Sequence, residues 1–263
     1  MHLIAINIVL KIHDCFGPFT DSDGVHAYAA VLQKITSVNP VTGRSLHDME
    51  RNKRLTVAIH QSTDVEAILR VTFMEKAGDE YLLPLITELF NEPDLQIGNK
   101  DCTVVDATPH SINPLWYGIN TWNDLTDERI GKYLCMQFVT PTAITKRDDQ
   151  NLRFMSLFPN PVDIYSGLVR RWQGLGGPDI PDTLRDYLIT GGCVVSCFEL
   201  QTVKFVVKER TQIGFKGWIT YECRKQDKQH NLALNSLTRL ALFTGIGYQT
   251  ARGMGAVDVG ISG

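Results

Sequence analysis

The most informative stretch of the chain is Gly245-Ile246-Gly247-Tyr248-Gln249-Thr250-Ala251-Arg252-Gly253-Met254-Gly255. Four glycines bracket a polar segment with one arginine. An apolar helical pattern precedes the stretch, and the strand-like Ala256–Val259 follows it. Because glycine takes positive φ and lets a backbone approach a ligand closely, the pattern favours a loop whose N–H groups and Arg252 lie on a phosphate backbone. A helix cap followed by a glycine-rich turn, with no ligand, explains the same glycines.

The order of elements around this loop excludes two nucleotide-binding motifs. A dinucleotide loop follows a strand, opens a helix and needs Gly-x-Gly-x-x-Gly. Here the loop follows a helix and opens a strand, and Thr250 stands at the place of the third glycine. The chain contains no Gly-Lys-Ser/Thr, so the phosphate loop of nucleotide hydrolases is excluded as well.

Length and composition indicate a globular protein. Its 263 residues, 43% of them hydrophobic, allow one large domain or two of ordinary size. The apolar runs are too short to span a bilayer, and the start lacks the features of a signal peptide. Six scattered cysteines form no Cys-x-x-Cys pair, so a zinc site is not indicated. Unpaired thiols fit a reducing cytoplasm, the expected location. We expect no metal, no other cofactor and no membrane partner. Cys193 and Cys197, four apart, are expected to be buried thiols on one face of a strand.

Charge is distributed unevenly along a chain whose net charge is −3. Between positions 201 and 257 there are nine Lys or Arg residues and three Asp or Glu residues, whereas the rest of the chain has 17 positive and 26 negative residues. A basic segment on an acidic protein is the asymmetry expected of a local polyanion site. A solvated sheet face accounts for it too.

Hydrophobic periodicity predicts two α+β domains in tandem, over residues 1–125 and 126–263. Each domain shows the element order β-α-β-β-α-β of a ferredoxin-like (RRM-like) fold. The region 108–128, rich in Pro, Asn, Asp and Thr, is the expected linker. The Gly-rich stretch then connects the second helix of the second domain to its last strand.

Four segments of the chain carry a resemblance to a known family. They are the Gly245–Gly255 motif; Leu157–Pro161 with Leu168–Trp172; Gly214–Tyr221; and Ser37–Pro40 with Ser45–Asp48. Together with the tandem fold, they resemble the CRISPR-associated repeat-RNA endoribonucleases of the RAMP superfamily, which release guide RNAs from a long transcript. The resemblance implies metal-independent cleavage, in which a 2′-hydroxyl attacks the adjacent phosphate and leaves 2′,3′-cyclic phosphate and 5′-hydroxyl ends.

The resemblance also implies catalytic roles for particular residues. His47 matches the family's histidine position and suits acid–base chemistry, with His26 as second choice. Lys53 stands where a second catalytic cation is expected. In some members a tyrosine of the first helix completes a triad. Leu32 occupies that position here, and Tyr28, one turn earlier, is the candidate, although its spacing also fits the apolar stripe. We therefore favour a dyad of His47 and Lys53.

Further residues are predicted to hold RNA. They are Gly245, Gly247, Gln249, Thr250, Arg252, Gly253 and Gly255 of the loop, Arg170 and Arg171, and the basic residues Lys204, Lys208 and Arg210. The last three alternate along one predicted strand, so we expect one charged face. Arg170 and Arg171 either grip phosphates or cover the outer face of their helix. Asp48 is expected to be a solvated surface residue, because adjacent helical side chains point apart.

The expected partner is CRISPR repeat RNA, presenting a short stem-loop that is recognised by shape and backbone. Other subunits of a CRISPR effector complex are further candidate partners, and the protein is expected to be a monomer or homodimer. One alternative is a non-catalytic RAMP subunit that binds guide RNA within an interference complex. Another is a ferredoxin-like scaffold without RNA affinity.

Overall fold

The computed structural model of the chain describes residues 1–13, 17–48, 53–76, 80–109, 119–207 and 210–263. The chain divides into two compact units. The first contains Met1–Asn120 and Ala251–Gly253, and the second contains Thr121–Thr250 and Met254–Gly263. Among the described residues, no helix is both long and apolar enough to cross a membrane.

The first unit is an antiparallel sheet with helices on one face. Its elements are β1 (His2–Ile12), α1 (Gly24–Val38), α2 (Pro40–Asp48), β2 (Leu55–Thr63), β3 (Glu66–Glu75), α3 (Leu82–Asn91), β4 (Asp94–Ile97), β5 (Lys100–Pro109) and β6 (Ile119–Thr121). The strand order is β2-β3-β1-β5-β4, with β6 also paired to β1. The β-α-β-β-α-β order predicted for this half is therefore confirmed, and the single strand predicted over 96–107 is a hairpin of β4 and β5.

Alternation along the strands builds the core of this unit. In β1, the residues Ile4, Ile6, Ile8 and Leu10 are buried in one apolar cluster with side chains of α1 and α3. Successive strand residues point to opposite faces, so these four share the face that the helices cover. Burial of such side chains, worth roughly 1.5–3 kcal/mol each, holds α1 on the sheet.

Helix α2 lies directly against α1. The sequence predicts only a turn near its end, but Pro40 at the first helical position is preorganised for a full helix. A Cβ at Gly43 would lie 2.0 Å from the Thr36 Oγ1 atom of α1, so only glycine permits this approach. The contact holds the first turn of α2 against α1, and α2 ends at His47 and Asp48.

The second unit repeats the pattern with longer strands. Its elements are α4 (Trp122–Leu125), β7 (Tyr133–Thr142), β8 (Ile144–Arg147), β9 (Arg153–Ser156), α5 (Pro161–Gly174), α6 (Leu184–Ile189), β10 (Cys193–Val207), β11 (Arg210–Cys223), α7 (Lys228–Thr244) and β12 (Val257–Ser262). The main sheet has the order β10-β11-β7-β12. This order confirms the second ferredoxin-like fold.

Contacts show why residues from Trp122 onward group with the second unit. The Trp122 and Trp172 ring centroids are 4.6 Å apart. The buried guanidinium of Arg239 donates to the carbonyl of Leu125 at 2.8 Å. The sequence predicts a linker over residues 108–128. Residues 110–118 of it lie outside the described residues, and composition does not reveal the distant partners of Trp122 and Leu125.

Two details of the second unit differ from the sequence-based expectations. A separate two-stranded ribbon, β8–β9, follows β7, whereas the sequence predicts no element there. In β10, a bulge between Val195 and Cys197 adds one residue to the strand. The extra residue places Cys197 on the face opposite Cys193, so Cys193 is buried but Cys197 is exposed. The prediction of two buried thiols on one face was wrong for this reason.

Candidate functional site

The glycines of the loop are required by close backbone contacts. Gly245, Gly247, Gly253 and Gly255 all have positive φ, between 63° and 89°. A Cβ at Gly255 would lie 2.0 Å from the Ile246 carbonyl oxygen, and a Cβ at Gly247 would lie 2.5 Å from that of Ala143. Both distances are too short for any side chain. The loop is therefore a tightly folded structure of its own, as the helix-cap interpretation anticipated.

Several loop N–H groups are used inside the protein. The Ile246 N–H donates to Gly255 O at 2.8 Å, the Tyr248 N–H to Ala143 O at 2.9 Å, and the Gly255 N–H to Pro141 O at 3.0 Å. The expectation that the loop offers its N–H groups to a ligand is wrong for these three. The solvent-accessible residues of the loop are Gly247, which is exposed, and Tyr248–Thr250 and Arg252, which are half-buried.

Two polar residues of the loop behave differently. The Thr250 side chain packs within the loop. A Cβ added at Gly245 would lie 3.1 Å from it, and a Cβ added at Gly255 would lie 3.2 Å from it. Gln249 has a φ of 56°, which is uncommon for a residue with a side chain. Its side-chain oxygen is buried and has no hydrogen-bond partner among the described residues. Backbone strain of this kind concentrates at functional sites.

Arg252 and Gly253 lie against the first turn of α1, within the first unit. A Cβ at Gly24 would lie 2.6 Å from the Gly253 Cα and 2.8 Å from the Arg252 carbonyl oxygen. Tyr28 is one turn further along α1. Helical side chains lean toward the helix N-terminus, so Tyr28 leans toward the turn that carries Gly24. The structure thus brings together Tyr28 and Arg252, which are 224 positions apart.

The Tyr28 ring packs against the apolar core of its unit. Its hydroxyl is buried and has no hydrogen-bond partner in the part of the chain that is described. Burial raises the pKa of Tyr28 above its ordinary value, and the charge of Arg252 opposes this rise to a smaller extent. The hydroxyl therefore stays protonated at neutral pH and can act only as a hydrogen-bond donor or acceptor, not as a phenolate base.

His47 and Lys53 meet at the C-terminal end of α2. The Lys53 Nζ atom donates to the His47 carbonyl oxygen at 3.0 Å and to that of Leu46 at 3.4 Å. Lysine suits this position because the last carbonyls of a helix lack partners and carry partial negative charge. The His47 side chain is 73% exposed. The predicted pair is thus adjacent, with an accessible imidazole and a fixed ammonium group.

Asp48 is a solvated surface residue as expected, with its side chain 77% exposed, and it also contacts the His47 ring. The His47 Nδ1 and Asp48 Oδ1 atoms are 3.2 Å apart. Asp48 is the last residue of α2, where the short carboxylate can reach its neighbour. An Nδ1–H that donates to Asp48 leaves Nε2 as the nitrogen that faces a substrate.

His26, the second-choice histidine, lies on α1 at a different place. A Cβ added at Gly98 would lie 3.4 Å from the Cγ and Cδ2 atoms of the His26 ring. The exposed His26 ring therefore contacts the turn between β4 and β5.

Lys204 and Arg210, which the sequence predicts on one strand, lie on two strands. Strand β10 ends at Val207, and Arg210 begins β11, where it pairs with Val207. Lys204, which is exposed, and Arg210 thus lie on different strands. Lys208 falls outside the described residues. The sequence predicts hairpin strands over 192–208 and 212–223 with turn residues around Glu209–Gln212, whereas β10 ends at Val207 and β11 begins at Arg210.

The two arginines of α5 differ in exposure. Arg170 is exposed, whereas Arg171 is half-buried. Burial lowers the pKa of Arg171 to about 10, so its guanidinium is still charged at neutral pH. Of the two, Arg170 is the more accessible to a phosphate.

One pair of residues near the loop was not anticipated. The Arg153 guanidinium carbon lies 4.7 Å from the centroid of the Tyr248 ring. No sequence signal indicates this contact, because the β8–β9 ribbon that carries Arg153 was not predicted. Within the described part of the chain, no group of three or more His, Cys, Asp and Glu side chains is arranged to hold a metal ion.

Comparisons with known proteins agree with the fold. Residues 136–257 match the family model described as "CRISPR-associated endoribonuclease Cas6". A search of curated proteins finds no match. Among solved structures, the chain is similar to a Cas6 of Thermus thermophilus in a product complex, with a TM-score of 0.82, 22% identity, and coverage of 98% of this chain and 99% of that one.

Two further structures cover the chain almost completely. A second Cas6 product complex has a TM-score of 0.77 and 21% identity, and covers 99% of this chain and 100% of its own. A RAMP protein described as binding different RNA substrates has a TM-score of 0.66 and 13% identity, with coverage of 97% and 99%. The resemblance drawn from the sequence is thus confirmed: just under half of the chain carries the Cas6 sequence pattern, and the whole chain has the Cas6 fold.

Proposed function

We propose that the chain is a metal-independent endoribonuclease that binds CRISPR repeat RNA and cuts it once per repeat to produce guide RNAs. The observation that carries this proposal is the meeting of His47 and Lys53 at the end of α2, in a chain with the Cas6 fold. The solved Cas6 structures with product support an RNA substrate. A histidine-to-alanine mutant of the second Cas6 has also been solved.

In the proposed reaction, the 2′-oxygen attacks the adjacent phosphorus, and the bond from phosphorus to the 5′-oxygen breaks. His47 Nε2 takes the 2′-hydroxyl proton, and a protonated group, either the histidinium so formed or water, returns a proton to the leaving 5′-oxygen. The products carry a 2′,3′-cyclic phosphate and a 5′-hydroxyl. Lys53 supplies positive charge for the phosphorane. Acid–base catalysis by a positioned side chain contributes about 10²–10⁴-fold in rate.

RNA binding is assigned to a larger set of residues. The Gly-rich loop with Gln249 and Arg252, the exposed Arg170 and the β10–β11 hairpin would contact the RNA backbone. The repeat is proposed to present a stem-loop, whose A-form duplex is recognised by shape and phosphates. The protein would act as a monomer or homodimer, alone or with subunits of a CRISPR effector complex.

The test is a cleavage assay on labelled repeat RNA from the host's own array, in buffer that contains EDTA. The proposal predicts cutting at one position, with a product whose 2′,3′-cyclic phosphate end opens on acid treatment. Tight binding without cutting would instead identify a non-catalytic RAMP subunit. The absence of salt-dependent RNA affinity would contradict both.

A further inference from the structure

The β8–β9 ribbon begins at the residue on which the Gly-rich loop packs. Ala143, directly before β8, accepts the Tyr248 N–H at 2.9 Å. The same carbonyl oxygen lies 2.5 Å from the Cβ that Gly247 lacks. The ribbon and the loop therefore form one continuous structure within the second unit.

One face of the ribbon carries two arginines. Arg147 and Arg153 are directly opposite each other across the two strands, so their side chains share a face about 4.5–5.5 Å apart at Cβ. Arg147 Nη1 donates to the carbonyl and side-chain oxygens of Asn151 at 3.0 and 3.2 Å. Arg153 Nη2 donates to Thr145 Oγ1 at 3.4 Å, and its guanidinium lies over the Tyr248 ring. Both side chains are thus held in place by neutral partners.

The acidic residues nearby do not neutralise this face. Asp148 Oδ1 accepts the N–H groups of Gln150 and Leu152 and so forms the turn of the ribbon. Asp163 pairs with Lys146 at 3.0 Å. Over the described ranges, no carboxylate comes within ion-pair distance of Arg147 or Arg153. The face keeps two exposed positive charges.

We propose that Arg147, Arg153 and Tyr248 form a phosphate-binding patch that holds the backbone of the RNA bound by the Gly-rich loop. This inference rests on the proposed function and adds to it a contact surface. A guanidinium fork matches phosphate oxygens in a bidentate manner, and two neighbouring forks suit successive phosphates of one strand. The Tyr248 ring orients Arg153 by a cation–π contact, which reduces the entropy cost of binding.

A patch that contacts only phosphates does not discriminate between RNA sequences. It therefore contributes equally to the affinity for any RNA of the same shape, and it does not select the position of the cut. Affinity through such contacts falls with salt, because each neutralised phosphate releases counterions.

The experiment measures the affinity for repeat RNA over a series of KCl concentrations. The variants are Arg153→Ala, the double variant R147A/R153A, and Arg185→Ala as a control that removes one exposed arginine from the same unit. We expect the slope of log affinity against log salt to fall by about 0.7–0.9 for each phosphate that a variant no longer neutralises. Arg185→Ala should match wild type, and the cut position should stay the same in all variants.

An unchanged slope and affinity in R147A/R153A, with the wild type still binding and cutting RNA, would overturn the patch and leave the proposed function intact. A fall of equal size in Arg185→Ala would also overturn it, because it would reflect net charge alone. Loss of RNA affinity in the wild type would contradict the proposed function itself. All the substituted arginines are exposed, and circular dichroism verifies that each variant is folded.

Discussion

The Gly-rich loop and the end of α2 were both identified from the sequence, but the structure supports them in different ways. In the loop, each assigned glycine is explained by a backbone contact or a positive φ. At the end of α2, the His47 side chain is 73% exposed, and its ring contacts Asp48. The fold requires the first set of residues, whereas it requires nothing of the His47 imidazole.

Packing explains the loop glycines but not the His47 imidazole. A residue that packing demands is explained without any ligand, so the loop glycines do not by themselves prove RNA binding. Packing does not explain the exposed His47, but polar side chains are ordinarily exposed, so kinetics must distinguish the proposed catalytic role from a solvated surface residue. Substitutions at the end of α2 should therefore change catalysis, and substitutions at the loop glycines should change stability first.

The largest expected effect is that of His47→Ala on cutting. The single-turnover cleavage rate should fall by about 10²–10⁴-fold, while RNA affinity and the melting temperature stay at wild-type values. The control is His26→Ala, an exposed histidine of the same unit, which should cut normally. If instead His26→Ala loses activity and His47→Ala keeps it, the assignment of the catalytic histidine is wrong.

Lys53→Ala should have the next largest effect. Removing one group that stabilises developing negative charge costs roughly 10²-fold in rate. The same change also deprives the last carbonyls of α2 of a donor, so the unfolding free energy should fall as well, by about 0.5–1.5 kcal/mol. A variant that is less stable but cuts at the wild-type rate would make Lys53 a helix cap and nothing more. Chemical denaturation and single-turnover kinetics measure the two effects separately.

Gly255→Ala tests whether backbone packing requires the glycines of the loop. Its Cβ would lie 2.0 Å from a carbonyl oxygen at a φ of 66°, so the unfolding free energy should fall by about 1–3 kcal/mol. Gly176→Ala is the matched control, because Gly176 also has positive φ (78°) but no atom within 4 Å of the added Cβ. Denaturant unfolding should show a larger decrease for Gly255→Ala. Equal decreases would mean that the backbone contact adds nothing to the φ strain.

Tyr28→Phe should have the smallest effect. The hydroxyl is buried without a partner among the described residues, and removing such a group is neutral or slightly stabilising. Thermal unfolding should show an unchanged or raised midpoint, and cleavage should stay close to wild type. A loss of cutting comparable to that of His47→Ala would instead place Tyr28 in a catalytic triad.

Local patterns in the sequence were enough to predict the tandem ferredoxin-like fold. Two such local patterns are the alternation of Ile4, Ile6, Ile8 and Leu10 in β1 and the glycines around Arg252. Each can be recognised from residues close together in the sequence. The predictions that failed concern which face or strand a residue lies on, because this depends on distant contacts or on shifts of single residues. The bulge near Cys197 shifts that residue to the opposite face of β10, and Arg210 lies on β11, not on the strand that carries Lys204.

The candidate site shows the same division. The family resemblance implied catalytic roles for His47 and Lys53, and the structure places these two residues together. The approach of Arg252 to the turn that carries Gly24 depends on the folded chain, as does the position of Arg153 over Tyr248. Neither contact leaves a trace in local sequence, because the partners are about 100 or more positions apart.

The central claim is that the RNA's own 2′-hydroxyl is the nucleophile. The most direct measurement uses repeat RNA with a single 2′-deoxyribose immediately 5′ of the mapped cut, in the presence of EDTA. We predict that this RNA binds with the affinity of the unmodified repeat and is not cut, because the attacking oxygen is missing. Cutting of the modified RNA at the same position would contradict the proposed mechanism and require water as the nucleophile.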